Sequence, residues 1–188
     1  MEENRGLMQE SARKSCRTET IKMKPEPAQN YLRNCFLLML PILVWNLALA
    51  NQLPTAFRPE VFWNDIPIWL AYGENGSRTL VFALTLIMPL RFSDRTRKNG
   101  RYLYLAGLLI YAASWIALIY FPDSPWSTSL PGFMAPAYTP FFWLAGIGLI
   151  GHSFYFNLPF RPWFFFSVSL LFLSFHCFHT ATIYYRIH

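Results

Sequence analysis

Long apolar runs broken by short polar segments constrain this chain more than any motif in it. Leu80–Leu90, Tyr102–Tyr120 and Trp163–Tyr184 are almost continuously apolar, and Phe36–Ala50 and Tyr138–His152 are shorter runs of the same kind. An apolar bilayer core about 30 Å thick is crossed by about 20 residues of helix. Transmembrane strands instead alternate apolar and polar residues in segments of about 10. These runs are continuous, so helices are the expected spanning element. The chain is 54% hydrophobic and only 14% charged, whereas soluble domains carry about 25% charged residues. One soluble core does not accommodate that excess, and the bilayer is the solvent that does.

The sequence therefore predicts an all-α polytopic membrane helix bundle of about five transmembrane helices, preceded by a disordered N-terminal tail. Residues 1–30 form the polar tail, mixed in charge and closed by Pro25 and Pro27. Residues 31–188 form the bundle, with spans at about 31–50, 67–91, 102–120, 137–153 and 163–184. Pro41 falls inside the first span as a kink candidate. Residues 51–66 suit a loop or short helix at the interface, with Phe57, Phe62 and Trp63 at headgroup level. The second span reaches a crossing length only if Glu74, Asn75, Gly76 and Arg78 lie within its helix. Arg91–Arg101 reads as a short basic loop with an Asn99-Gly100 turn. Phe121–Pro140 reads as a Pro-, Ser- and Gly-rich loop, re-entrant in one reading. Gly146, Gly148 and Gly151 thin the fourth span for close helix approach.

Two alternative readings arise along the chain. Ala48-Leu49-Ala50 after an apolar run resembles a signal cleavage site, but the polar segment before it is far longer than a signal peptide's. Asn75-Gly76-Ser77 matches a glycosylation acceptor, and is read as fortuitous so near a membrane boundary. Cys16, Cys35 and Cys177 show no paired spacing and read as unpaired thiols.

Charge fixes the expected orientation. The net charge of +6 sits in the tail and in loops beside apolar helices, so nucleic acid is not expected as a partner. With the tail inside, thirteen of the 16 basic residues fall on one side; only Arg58, Arg78 and Arg186 fall on the other. The positive-inside rule then places the N-terminus in the cytoplasm and, for five crossings, the C-terminus outside, in a cell (plasma or inner) membrane.

Depth along the helices gives the one candidate site. At about 1.5 Å per residue, Asn46, Arg78, Ser114 and His176 all lie about 20 Å from the cytoplasmic ends of their spans, with Glu74 and His179 at about 25 Å. Glu74 and Arg78 are spaced i, i+4 and share a helix face; His176 and His179 are spaced i, i+3 and do likewise. Ionisable groups in a span are costly and usually face the bundle interior or a water-filled cavity. Glu74, Arg78, Asn46, Ser114, His176 and His179 are thus expected to form a polar layer. It could relay protons, bind an anion through Arg78, or hold a metal through the imidazoles. The competing reading is a dry packing network, with Arg78 reaching toward the headgroups. Two imidazoles fall short of a four-ligand zinc site, and His152, at the opposite end of its span, cannot pair with His176 around a haem. Asp65 beside Asn64, and Asp123, are weaker candidates for an outer mouth.

The chain carries no phosphate-binding glycine loop, nucleophile elbow or intramembrane carboxylate pair. No catalytic residue, metal ligand or cofactor is therefore assigned. The leading expectation is a small solute- or ion-binding or transport protein, acting as a homo-oligomer or within a larger membrane complex. The alternative is a non-catalytic accessory or assembly subunit. An intramembrane metal or redox enzyme ranks third.

Overall fold

The computed structural model describes residues 33–90, 95–151, 153–155 and 162–187. The tail assigned to residues 1–30, Cys16, residues 91–94, His152 and Arg161 lie outside the described residues. Within them the fold is helical, with no strand; the only β-type pairing is an isolated antiparallel bridge between Asn34 and Pro89.

A 3-10 turn, Cys35–Leu38, leads into α1 (Leu40–Leu49), and a second such turn, Ala50–Gln52, follows. The short α2 (Pro59–Phe62) precedes α3 (Ile68–Ile87). Next come α4 (Arg95–Tyr120), two single-turn helices α5 (Leu130–Phe133) and α6 (Ala135–Tyr138), α7 (Pro140–Ile150) and α8 (Pro162–Ile187). Three helical stretches are long and apolar enough to cross a bilayer: Cys35–Gln52, Lys98–Tyr120 and Trp163–Ile187, of 18, 23 and 25 residues. They point to a membrane protein. Ala135–Ile150 is apolar but shorter.

Several elements depart from the sequence reading. Pro41 kinks nothing. It sits in the first turn of α1, where its missing N–H would have no intrahelical acceptor anyway. The expected basic loop is half helix: α4 begins at Arg95, and Asn99-Gly100 is helical, not a turn. Packing explains why Gly is tolerated there. A Cβ on Gly100 would lie 2.9 Å from the Leu149 Cβ and 3.2 Å from the Gly146 carbonyl oxygen, so the bare backbone lets α4 extend along α7. The loop predicted over Phe121–Pro140 holds for its first half, but α5 and α6 occupy much of the second and bury Phe133, Ala135 and Ala137 in the interior. Ser129 starts α5 as its N-cap, its hydroxyl accepting the Gly132 N–H at 3.3 Å.

The bundle is organised by two helix pairs, α4 with α7 and α3 with α8, joined where α8 also packs on α7. Small residues at the α4–α7 crossing are reciprocal. Gly107 lies against the backbone of Phe142 and Trp143, and Gly146 lies against the backbone of Tyr104. Without side chains there, the two backbones approach closely, which is how helices associate where burial from water drives nothing. Gly146→Val should cost about 1–3 kcal/mol, because the obstacle is backbone and cannot swing aside. Gly76→Ala is the control. Nothing lies within 4 Å of a Cβ there, and Ala in an exposed helical position should stabilise by about 0.5–1 kcal/mol. Unfolding in sodium dodecyl sulfate, followed by circular dichroism, measures both.

The helix α1 is held mainly at its start. The Cys35 N–H donates to the Met88 carbonyl at 2.8 Å, the Leu90 N–H to the Arg33 carbonyl at 2.8 Å, and the Tyr104 hydroxyl to the Leu38 carbonyl at 2.7 Å. Its far half touches the bundle more lightly, and cavities lie beneath it.

Candidate polar site between the third and eighth helices

The segment α3 contains Glu74 because its helix extends back to Pro67, as the span-length argument requires. Ser77 and Thr79 fold their hydroxyls onto carbonyls of their own helix, at 2.6 Å to Gly73 and 2.8 Å to Asn75, and so are neutralised as polar groups. Asn75 does the same toward Ala71 at 3.0 Å. The Asn-Gly-Ser acceptor is thus helical and internally bonded. Glu74 alone on this stretch is completely buried.

Three basic side chains converge on that carboxylate. Arg78, one turn along, donates to Oε1. The Nδ1 of His176 lies 3.0 Å from the same oxygen, and the Nδ1 of His179 lies 2.6 Å from Oε2. The far ring nitrogen of His179, Nε2, lies 2.7 Å from the Phe62 carbonyl at the end of α2. Both His residues come from α8, and their i, i+3 spacing delivers one to each carboxylate oxygen. Aromatic rings close the group off. Phe62 and Trp63 pack on the His179 ring with centroids at 4.0 and 4.7 Å. Phe172 stacks on His176 at 5.5 Å and 13°, and the Arg78 guanidinium lies 5.6 Å from the Phe172 centroid.

Hydrogen-bond logic sets the charge of this cluster. A carbonyl only accepts, so His179 Nε2 carries a proton. The 2.6 Å approach of Nδ1 to Glu74 Oε2 then needs a second proton between them, since two lone pairs would repel. Glu74 and His179 together are therefore neutral, whichever of the two atoms holds that proton. The Arg78 charge remains, so the cluster is net positive.

Exposure is graded across the cluster. Glu74 and His179 are sealed, while the side chains of His176 and Arg78 are 21% and 34% exposed. His176 borders two adjacent cavities, of about 220 and 350 Å³. Asn46, Trp115 and Pro136 border both as well, and Arg78 borders the larger. Asn46 accepts the Tyr111 hydroxyl at 2.6 Å, which ties α1 to α4 across the cavity rim.

Four of the six residues expected in a polar layer thus form one bonded group: Glu74, Arg78, His176 and His179. Asn46 stands across the cavities from them. Ser114 does not join; its hydroxyl bonds the Tyr111 carbonyl of its own helix at 2.7 Å. Trp45, beside Asn46, has a buried indole N–H with no partner among the described residues. Asp65 sits in the turn before α3 with a left-handed backbone (φ 50°), accepts the Asn64 amide at 2.7 Å, and lies on the exposed surface beside Arg186. Among the described residues, no group of three or more His, Cys, Asp or Glu side chains is placed to hold a metal ion. Sequence reasoning missed Tyr111, Trp115, Trp143 and the Phe62 carbonyl. Tyr111, a hydroxyl in mid-span, was the signal available.

Comparison with protein-family models, with curated proteins and with solved structures gives no match.

Proposed function

We propose that this chain is a membrane protein that binds a small solute or ion at the Glu74–Arg78–His176–His179 cluster, in the service of transport. The observation that carries this reading is the position of His176. It belongs at once to a sealed ionic cluster and to the wall of two cavities. A ligand in either cavity meets a side chain bonded directly to the buried carboxylate.

In this reading the chain crosses the bilayer about five times. The three long apolar helices are joined by α3, whose 20 residues give about 30 Å of rise, and by the α6–α7 segment, which α4 and α8 flank. The cationic bias places the N-terminus in the cytoplasm of a cell membrane and the C-terminus outside. Five helices rarely enclose an alternating-access path, so the protein acts as a homo-oligomer or within a larger membrane complex. A second reading draws on the complete burial of Glu74 and His179: a dry clasp in an accessory or assembly subunit.

Thiol labelling separates the two. In a background without Cys16, Cys35 and Cys177, single cysteines replace Asn46, Arg78, His176, Phe165 and Lys98. A membrane-impermeant reagent applied outside intact cells should label positions 46 and 176, and leave Lys98→Cys and Phe165→Cys dark. Darkness at 46, 78 and 176 together would retire the solute site in favour of the clasp. Labelling at position 98 would reverse the orientation.

A further inference from the structure

The larger cavity has a chemical sign. Its donors are the Arg78 guanidinium and the Asn46 amide, and its border also includes His176, Tyr111 and the rings of Trp115 and Trp143. Trp143 has a buried N–H with no hydrogen-bond partner among the described residues. The Trp115 N–H, beside the Tyr111 hydroxyl, lacks one of good geometry. Neither indole nitrogen opens onto the cavity, so a ligand there meets the rings and not their N–H groups. Tyr111 already donates to Asn46 Oδ1, which leaves the Asn46 amide with N–H groups to offer.

Charge agrees with this donor count. Glu74 and His179 share one proton and cancel, so the Arg78 charge has no counterion within the cluster. No Asp or Glu lines the cavity. The guanidinium has five N–H groups, and the bond to Glu74 engages one nitrogen. The rest of the wall, including Ile42, Val81, Phe82 and Phe172, is apolar. A volume of about 350 Å³ is at the small end for a ligand pocket.

We infer that this cavity takes a small amphiphilic monoanion, an acidic head on a short apolar body. The head accepts hydrogen bonds from Arg78 and the Asn46 amide, and the body lies along Ile42, Val81 and Phe82. The inference rests on the solute-site reading above and gives that solute its charge and class. Nothing on the cavity wall favours a cation, because the one nearby carboxylate is already saturated by Arg78, His176 and His179. An anionic headgroup reaches the cavity either from water, on a free carboxylate, or from the bilayer, on an acidic lipid; the chemistry recognised is the same.

The test uses the full chain in nanodiscs of zwitterionic phosphatidylcholine, with tryptophan fluorescence as the readout. Hexanoate should give a saturable change, with hexanamide and hexylammonium at least tenfold weaker, because a bond to a charged acceptor is worth about that factor or more. Asn46→Asp should weaken hexanoate at least tenfold while leaving the ligand-free melting temperature close to the parent's, since Asp keeps the acceptor for Tyr111 and exchanges only the amide donor for negative charge. Trp115 and Trp143 remain as reporters in that variant. In phosphatidylglycerol nanodiscs, a retained hexanoate response assigns the ligand to the aqueous phase, and a lost one assigns the site to the acidic lipid head. Equal binding of hexanoate and hexanamide, or an Asn46→Asp protein that binds hexanoate as well as the parent, overturns the inference. If positions 46 and 176 label while hexanoate does not bind, the anion assignment fails and the solute site survives. If those positions stay dark and hexanoate does not bind, both fail.

Discussion

Replacing Glu74 by Ala should destabilise the folded protein by about 3 kcal/mol, because it strips the common partner from three basic groups at once. The His179 Nδ1 would lose its hydrogen-bond partner in a completely buried setting. His176 would lose the bond that orients its ring. Arg78, one-third exposed, can swing away and relieve part of the penalty, which keeps the cost at the lower end for broken buried pairs. Glu74→Gln should behave quite differently. Its amide oxygen can accept from Arg78 and His176, and its NH2 can donate to His179 Nδ1 while Nε2–H stays on the Phe62 carbonyl. The hydrogen-bond pattern survives, and only the charge is lost, for about 1 kcal/mol. Unfolding midpoints in sodium dodecyl sulfate read both. Equal losses for Ala and Gln would mean that charge, not hydrogen bonding, holds this region together, and the shared-proton description of Glu74 and His179 would be wrong.

The contrast shows what was legible in the sequence and what was not. Apolar run length located Tyr102–Tyr120 and Trp163–Tyr184, because a bilayer-crossing helix needs a continuous apolar segment and little else. The same arithmetic put Glu74 and Arg78 inside a helix. Turn spacing paired them with each other, and His176 with His179. What spacing could not supply was the rotation of one helix about its axis relative to another. That rotation decides that Ser114 bonds its own backbone while Tyr111, three residues earlier, faces Asn46. Depth alone makes Ser114 and His176 equivalent, and they are not. The part played by α2 was also hidden, since it acts through the Phe62 carbonyl, a group every residue has. The second half of the region over Phe121–Pro140 was misread for a similar reason. Proline and serine mark turns in isolation, yet Pro131, Pro136 and Pro140 each occupy a first helical turn, where proline is favoured.

Substituting His179 by Ala should be about as damaging as removing Glu74, at about 3 kcal/mol, and should lose most of its effect where Glu74 is already gone. The imidazole bridges two elements that otherwise meet through aromatic packing. One nitrogen reaches the α3 carboxylate and the other the last carbonyl of α2, at 2.6 and 2.7 Å. Truncation leaves both oxygens without those partners, opens a void between Phe62 and Trp63, and frees α2 from α8. His176→Ala removes one bond from a side chain that is 21% exposed, and should cost about 1 kcal/mol, with its main effect on whatever the cavities hold. The decisive measurement is the double-mutant cycle. If the proton between Glu74 and His179 makes them one unit, Glu74→Ala and His179→Ala combined should cost about 2 kcal/mol less than their sum, as residues of one network do. Glu74→Ala with His176→Ala should approach additivity more closely. Additive losses in the first cycle would separate the two side chains energetically. Glu74 would then be held by Arg78 alone, and His179 would serve only to pin the end of α2.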